Sequence, residues 1–185
     1  DRPDTGAVRI AGEDALADSE HKIALRLAPR DPDVQNNYAV YLCRKGRTAE
    51  GVALFEKSAA DRLYRTPWAA YTNAGVCLRR AGRDAEAAQR FQKAVDTRAD
   101  YAEAVLQLAD LELAQKDAVG SYRRVEAYLA RYPANADLLL LAWRAARALQ
   151  DQTNVERLAK RLQAEFPRSE QARAVAAAVP ANPSG

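Results

Sequence analysis

The stretch NNYAVYLCRKGRTAEGVALFEKSA, residues 36–59, is answered 36 residues later by TNAGVCLRRAGRDAEAAQRFQKAV, residues 72–95. Both copies turn on a Gly-Arg pair, Gly46-Arg47 and Gly82-Arg83. Before the turn stand Tyr38-Ala39 with Leu42, then Ala74-Gly75 with Leu78; after it come Gly51, Phe55 and Ser58, then Ala87, Phe91 and Ala94. The pattern continues more loosely. Lys116-Asp117 and Gln150-Asp151 occupy the turn at further intervals of 34. Leu108-Ala109, then Ala142 with Ala146, precede these turns, and Ser121, Val125, Tyr128 and Val155, Ala159, Leu162 follow them. Pro29, Pro133 and Pro167 close units.

Small residue, turn and aromatic in fixed order at a period near 34 is the tetratricopeptide (TPR) pattern, two antiparallel helices per unit. One helix pair cannot bury its apolar stripe alone, so neighbouring pairs stack and share a core. Ala39, Gly75 and Ala109 sit where a larger side chain would push helices apart, and Phe55 and Phe91 are expected to fill the space between units. The expected fold is an all-α, TPR-type α-solenoid with a right-handed superhelix. Composition agrees: alanine, the strongest helix former, fills 41 of 185 positions, which favours helix over sheet.

The units are expected at 32–61, 68–100, 102–135 and 136–167. A half unit at 13–31 precedes them, residues 1–12 forming a poorly ordered or incomplete first helix because of two glycines and few large apolar residues. A capping helix at 168–179 and a disordered tail at 180–185 complete the TPR region of 13–175 and its flanks.

Composition also narrows the chemistry. One histidine and two cysteines, without CxxC or HxxxH spacing, give no metal site, and no phosphate-binding or nucleophile-elbow motif occurs. No catalytic residue, cofactor or metal is therefore expected. The net charge of +3 is spread along the chain, so no nucleic-acid partner is expected either. The longest apolar runs, such as Leu138–Trp143, span six residues, far short of a membrane span.

First helices of a TPR stack line its concave face. Here they supply Asp33, Asn36, Val40 and Arg44, then Thr72, Val76, Arg79 and Arg80, then Glu103, Leu106 and Asp110, then Asp137, Leu140, Arg144 and Arg147. Apolar residues among charges of both signs suit an amphipathic peptide; a solvated face with the partner bound elsewhere is the competing reading. Arg44 with Arg79-Arg80 forms a local basic patch able to take a carboxylate. Asn37 and Asn73 share one repeat position used in carboxylate clamps, but the next unit offers Glu103 and Gln107 in place of basic partners. Tyr64 in the linker either meets a partner or packs over helix ends, and Trp143 replaces an alanine and fills core. His21 stands where an aromatic usually seals a unit.

Several stretches carry more than the generic repeat. NNYAVYLC (36–43), LYRTPWAAYTNAGVCLRRAGR (63–83), LLLAWRAARALQD (139–151) and FPRSEQA (166–172) resemble, in the same order, the PilF/PilW family of type IV pilus biogenesis and stability proteins. The resemblance covers roughly residues 14–175, and the LYxTP linker, the two cysteines and the FPxSE ending carry its specificity. It implies a non-catalytic, periplasmic pilotin that helps the outer-membrane secretin of the type IV pilus localise and multimerise. It also implies attachment to the inner leaflet of the outer membrane through an N-terminal lipid; the sequence, starting at Asp1, has no counterpart of the lipidated cysteine. A generic periplasmic TPR adaptor is the alternative, and a TPR-shaped hydrolase a more distant one.

Cys43 and Cys77 fall at positions 12 and 10 of successive first helices, which are neighbours in such a stack. Spacing alone allows either a disulfide, worth roughly 3–4 kcal/mol for the loop enclosed, or two buried thiols. The family resemblance implies the bonded pair.

Overall fold

Each of the four turns aligned in the sequence ends on a residue in the left-handed region: Gly46 and Gly82 at φ +74°, Lys116 at +68° and Gln150 at +58°. The next residue donates its N–H to the carbonyl five positions back. Arg47 reaches Leu42, Arg83 reaches Leu78 and Asp117 reaches Glu112, each at 2.9 Å, while Asp151 reaches Ala146 at 3.0 Å. This is the long hydrogen bond of a Schellman motif, which satisfies a terminal carbonyl and reverses the chain. Glycine takes the conformation without cost, whereas Lys116 and Gln150 carry a side chain there at about 1 kcal/mol.

The computed structural model describes residues 5–178, with side chains from residue 15 onward. Every regular element among the described residues is helical: α1 (Thr5–Leu27), α2 (Pro32–Arg44), α3 (Thr48–Ala60), α4 (Pro67–Arg80), α5 (Asp84–Thr97), α6 (Ala102–Ala114), α7 (Ala118–Leu129), α8 (Ala136–Ala148), α9 (Gln152–Glu165) and α10 (Glu170–Ala178). The helices group into two compact units, residues 1–97 and 98–185.

In the first unit α2 starts on a strong cap. Asp31 Oδ1 accepts from the N–H groups of Asp33 (2.9 Å) and Val34 (3.2 Å), and Pro32 takes the first helical position. Tyr38, Ala39, Leu42, Phe55, Ala70, Ala74, Leu78, Phe91 and Ala94 form the core. Buried Ser58 donates from α3 to the Pro32 carbonyl at 2.8 Å, fixing the entry of α2 against α3. A Cβ on Gly75 would collide with the Phe91 ring, so glycine is what lets α4 and α5 approach. Phe91 thus packs within its own helix pair, not only between units as expected.

α1 differs from expectation. The residues expected to form a poorly ordered or incomplete first helix at 1–12 run, from Thr5 on, continuously into the half unit as one helix. Glycine inside a helix costs about 1 kcal/mol relative to alanine, which weakens the helix without stopping it. α1 is tied down further along. The Tyr38 hydroxyl donates to Asp18 at 3.0 Å, Arg47 reaches the same oxygen at 3.0 Å, and Lys22 reaches the other at 2.6 Å. The Lys22 hydrogen bond, supported by those from Tyr38 and the charge of Arg47, holds the Asp18 carboxyl below its ordinary range despite partial desolvation. His21 lies against Tyr38 and Tyr41, ring centroids 5.5 and 5.0 Å away, in the sealing role expected of it.

In the second unit the caps are Asp117, Asn135 and Asp151, accepting from Gly120 (2.8 Å), Leu138 (2.8 Å) and Asn154 (3.1 Å). Leu138, Leu139, Leu141, Leu158, Leu162 and Val175 are buried, where α8 packs against α6, α7, α9 and α10. Trp143 is buried too, and the Arg147 guanidinium lies over its ring at 4.7 Å. Arg124 grips Glu112 at 2.6 Å and joins α7 to α6, while the Tyr128 hydroxyl donates to the Asp100 carbonyl at 3.1 Å. α10 occupies the stretch read as a capping helix; the tail expected to be disordered at 180–185 lies outside the described residues.

Candidate functional site

The first helices α2 and α4 lie side by side in the first unit, α6 and α8 in the second. In the first unit Asn73 donates across the pair to Asn36 Oδ1 at 3.3 Å, so the asparagine bridges helices. Val40 and Val76 are half-buried on this face, as is Arg79, while Arg44 and Arg80 are exposed. Thr72 does not belong among them. It is only 3% exposed, and its hydroxyl donates to the Trp68 carbonyl of its own helix at 2.9 Å. Position 5 of α4 therefore turns into the core, where the equivalent Asn36 of α2 stays half-buried and bonded to Asn73.

Beside this face the sulfurs of Cys43 and Cys77 lie within bonding distance across α2 and α4, with their Cα atoms 5.5 Å apart and 34 residues between them in sequence. That Cα separation is the usual one for a disulfide. Both cysteines are buried, and Cys43 also abuts Gly51 of α3, where a Cβ would collide with its sulfur. Tyr64 is buried at 8% exposure, the packing alternative of its two readings, and its neighbour Leu63 is 89% exposed.

In the second unit the expected Leu106 and Asp110 of α6 and Leu140 and Arg144 of α8 come together. They line a cleft of about 200 Å³. Gln107, Asp137 and Leu141 complete it. Gln107 and Leu141 were not among the candidates: both stand at position 6, one residue past the expected leucines, and adjacent positions share the rim of a helix face. The cleft has a leucine floor, with Asp110 and Arg144 at the same repeat position of neighbouring helices. Asp137 at another edge accepts from Gln171 of α10 at 2.6 Å. Such a surface can hold an amphipathic segment by apolar burial and charge pairing. Among the described residues no group of three His, Cys, Asp or Glu side chains is placed to hold a metal, and no helix is long and apolar enough to cross a membrane.

Comparison with known proteins gives this geometry a context. No protein-family model matches the chain. The type IV pilus assembly protein PilF of Pseudomonas aeruginosa (strain PAO1) is 26% identical over 157 residues, 85% of this chain. The chain is a homologue of PilF. It spans 62% of the length of that protein. The crystal structure of PilW, described as a widely conserved type IV pilus biogenesis factor, superposes with a TM-score of 0.72 at 29% identity, covering 91% of this chain and 77% of PilW. YrrB, a TPR protein with an unusual peptide-binding site, matches at a TM-score of 0.66 and 15% identity over 93% of this chain and 88% of its own, which shows the shared fold. The chain is a TPR-type helical repeat protein.

Proposed function

We propose that the chain is a protein-binding scaffold of type IV pilus biogenesis, acting as a periplasmic pilotin that promotes outer-membrane localisation and multimerisation of the pilus secretin. The homology to PilF, spread over 85% of the chain, carries this reading. The structure adds support of a different kind. The first-helix faces present apolar side chains beside charges of both signs, suited to holding another protein. The sole histidine is packed against Tyr38 and Tyr41. In this reading a segment of the secretin monomer docks on the first-helix faces, and a lipid outside these residues holds the complex at the inner leaflet of the outer membrane. An oxidising periplasm would let Cys43 and Cys77 bond, in keeping with their placement.

Deleting the gene tests the proposal. The expected result is loss of secretin multimers and surface pili while secretin monomer persists, restored by the wild-type chain and not by Leu140→Asp with Leu106→Asp. Normal multimers in the deletion strain would overturn the pilotin role.

A further inference from the structure

The first-helix faces of the two units differ in charge. α4 contains no acidic residue, and α2 has none after Asp33 in its first turn. α6 carries Glu103, Asp110 and Glu112 and no base, and the cleft beside it mixes both signs. In the first unit Arg44 and Arg80 hold the same repeat position, one helical turn beyond Val40 and Val76. Arg44 follows Cys43 directly and Arg80 comes one turn after Cys77, so the cysteine pair with its 5.5 Å Cα separation brings the two arginines' helices into fixed register. The arginines of the following turns are already engaged: Arg47 lies on Glu50 and Arg83 on Glu86, each at 2.6 Å. Arg44 and Arg80 have no such acid among the described residues, and both are exposed.

We infer that Arg44 and Arg80, with the Val40–Val76 strip beside them, form a docking site for an acidic–apolar peptide segment of a partner protein, carrying two carboxylates about three residues apart. The inference rests on the scaffold reading above and names the chemistry of one of its contacts. Helices in contact stand about 8–10 Å apart. A polyproline II chain has three residues per turn and rises about 3.1 Å per residue, so carboxylates at i and i+3 lie on one side about 9 Å apart and can reach one arginine each. Guanidinium groups pair with carboxylates bidentately, and each such bond outlasts an equivalent neutral one. The apolar strip alongside favours a peptide over a lipid headgroup, because it gives the segment's aliphatic side chains somewhere to be buried.

The test uses the full chain and a fluorescein-labelled ten-residue peptide with glutamates at positions 4 and 7 among alanine and valine, read by anisotropy at low salt. Its comparison peptide has glutamines at those positions. The glutamate peptide is expected to bind at least tenfold more tightly, and Arg44→Glu with Arg80→Glu to abolish the difference, while Arg173→Glu on α10 leaves it unchanged. Arg44→Gln with Arg80→Gln guards against misfolding and is expected to remove most of the preference with an unchanged helical circular dichroism spectrum. Reduction with dithiothreitol is expected to weaken binding by loosening the register. Equal binding of the two peptides overturns the inference, as does a preference that survives both arginine pairs. Capture by phosphatidylglycerol vesicles without peptide binding would assign the patch to a membrane surface and overturn it as well. If the peptide fails while Leu140→Asp with Leu106→Asp still abolishes secretin multimers, this inference falls and the scaffold reading stands.

Discussion

Reducing the Cys43–Cys77 pair should lower the stability of the first unit by about 4 kcal/mol. Chain-entropy arguments give this figure for a bond closing a loop of 34 residues, the separation of the two cysteines. Reduction replaces the S–S bond by two thiols and alters no other side chain, so the change reports mainly on the cross-link. With a urea dependence of about 2 kcal/mol per molar, the unfolding midpoint should fall by about 2 M on adding dithiothreitol. A Cys43→Ser, Cys77→Ser variant should unfold near the reduced midpoint and show no response to reductant. Thiol titration of the denatured, unreduced chain should find no free sulfhydryl. Two titratable thiols in that assay, or a midpoint that moves by less than about 0.5 M, would refute the reasoning, because the sulfurs would then be neighbours without a bond or the bond would not restrain the unfolded chain.

Two further predictions follow from the turns and from the α1 contacts. Lys116→Gly and Gln150→Gly should each stabilise the chain by about 0.5–1 kcal/mol and Gly82→Ala should destabilise it by about 1 kcal/mol, since only glycine adopts the left-handed turn without strain; urea midpoints check both signs. Asp18, whose carboxyl the Lys22 hydrogen bond and its other partners hold below the ordinary range, stabilises the fold above its unfolded value of about 4 and stops doing so as pH falls through its lower folded value. The urea midpoints of wild type and Asp18→Asn should therefore differ at pH 7 and converge by about pH 2–3, and a gap that stays constant across that range would count against the assigned contacts.

The repeat was readable because its turns are chemically marked. Aligning Lys116 and Gln150 with Gly46 and Gly82 located all four left-handed residues even though two lack the glycine that usually flags them, since the following aspartate and the flanking small residues kept the phase. The cysteine pairing was not readable from spacing, because positions 12 and 10 of different helices meet only once the stagger of the two helices is known; the family resemblance supplied it. Thr72 misled for a related reason. A repeat position gives an angle around the helix but not what packs against it, and in α4, flanked by α2, α3 and α5, position 5 is buried. The continuity of α1 escaped as well, since local propensity at Gly6 and Gly12 speaks for weakness and says nothing of the helix already running past it. Leucines at positions 5 of the second unit did come together as their spacing suggested, and their neighbours at position 6 went unnoticed because a wheel diagram draws the edge of a face too sharply.

A bond between these two sulfurs would have a mechanical meaning. Pulled through its ends, a stack of hairpins would give way one hairpin at a time. With Cys43 joined to Cys77, the intervening chain, about 120 Å if drawn out straight, stays out of the load path. Traction would spread through the rest of the molecule and pass this segment by, leaving α3 and the linker folded as a sheltered loop until a reductant releases them.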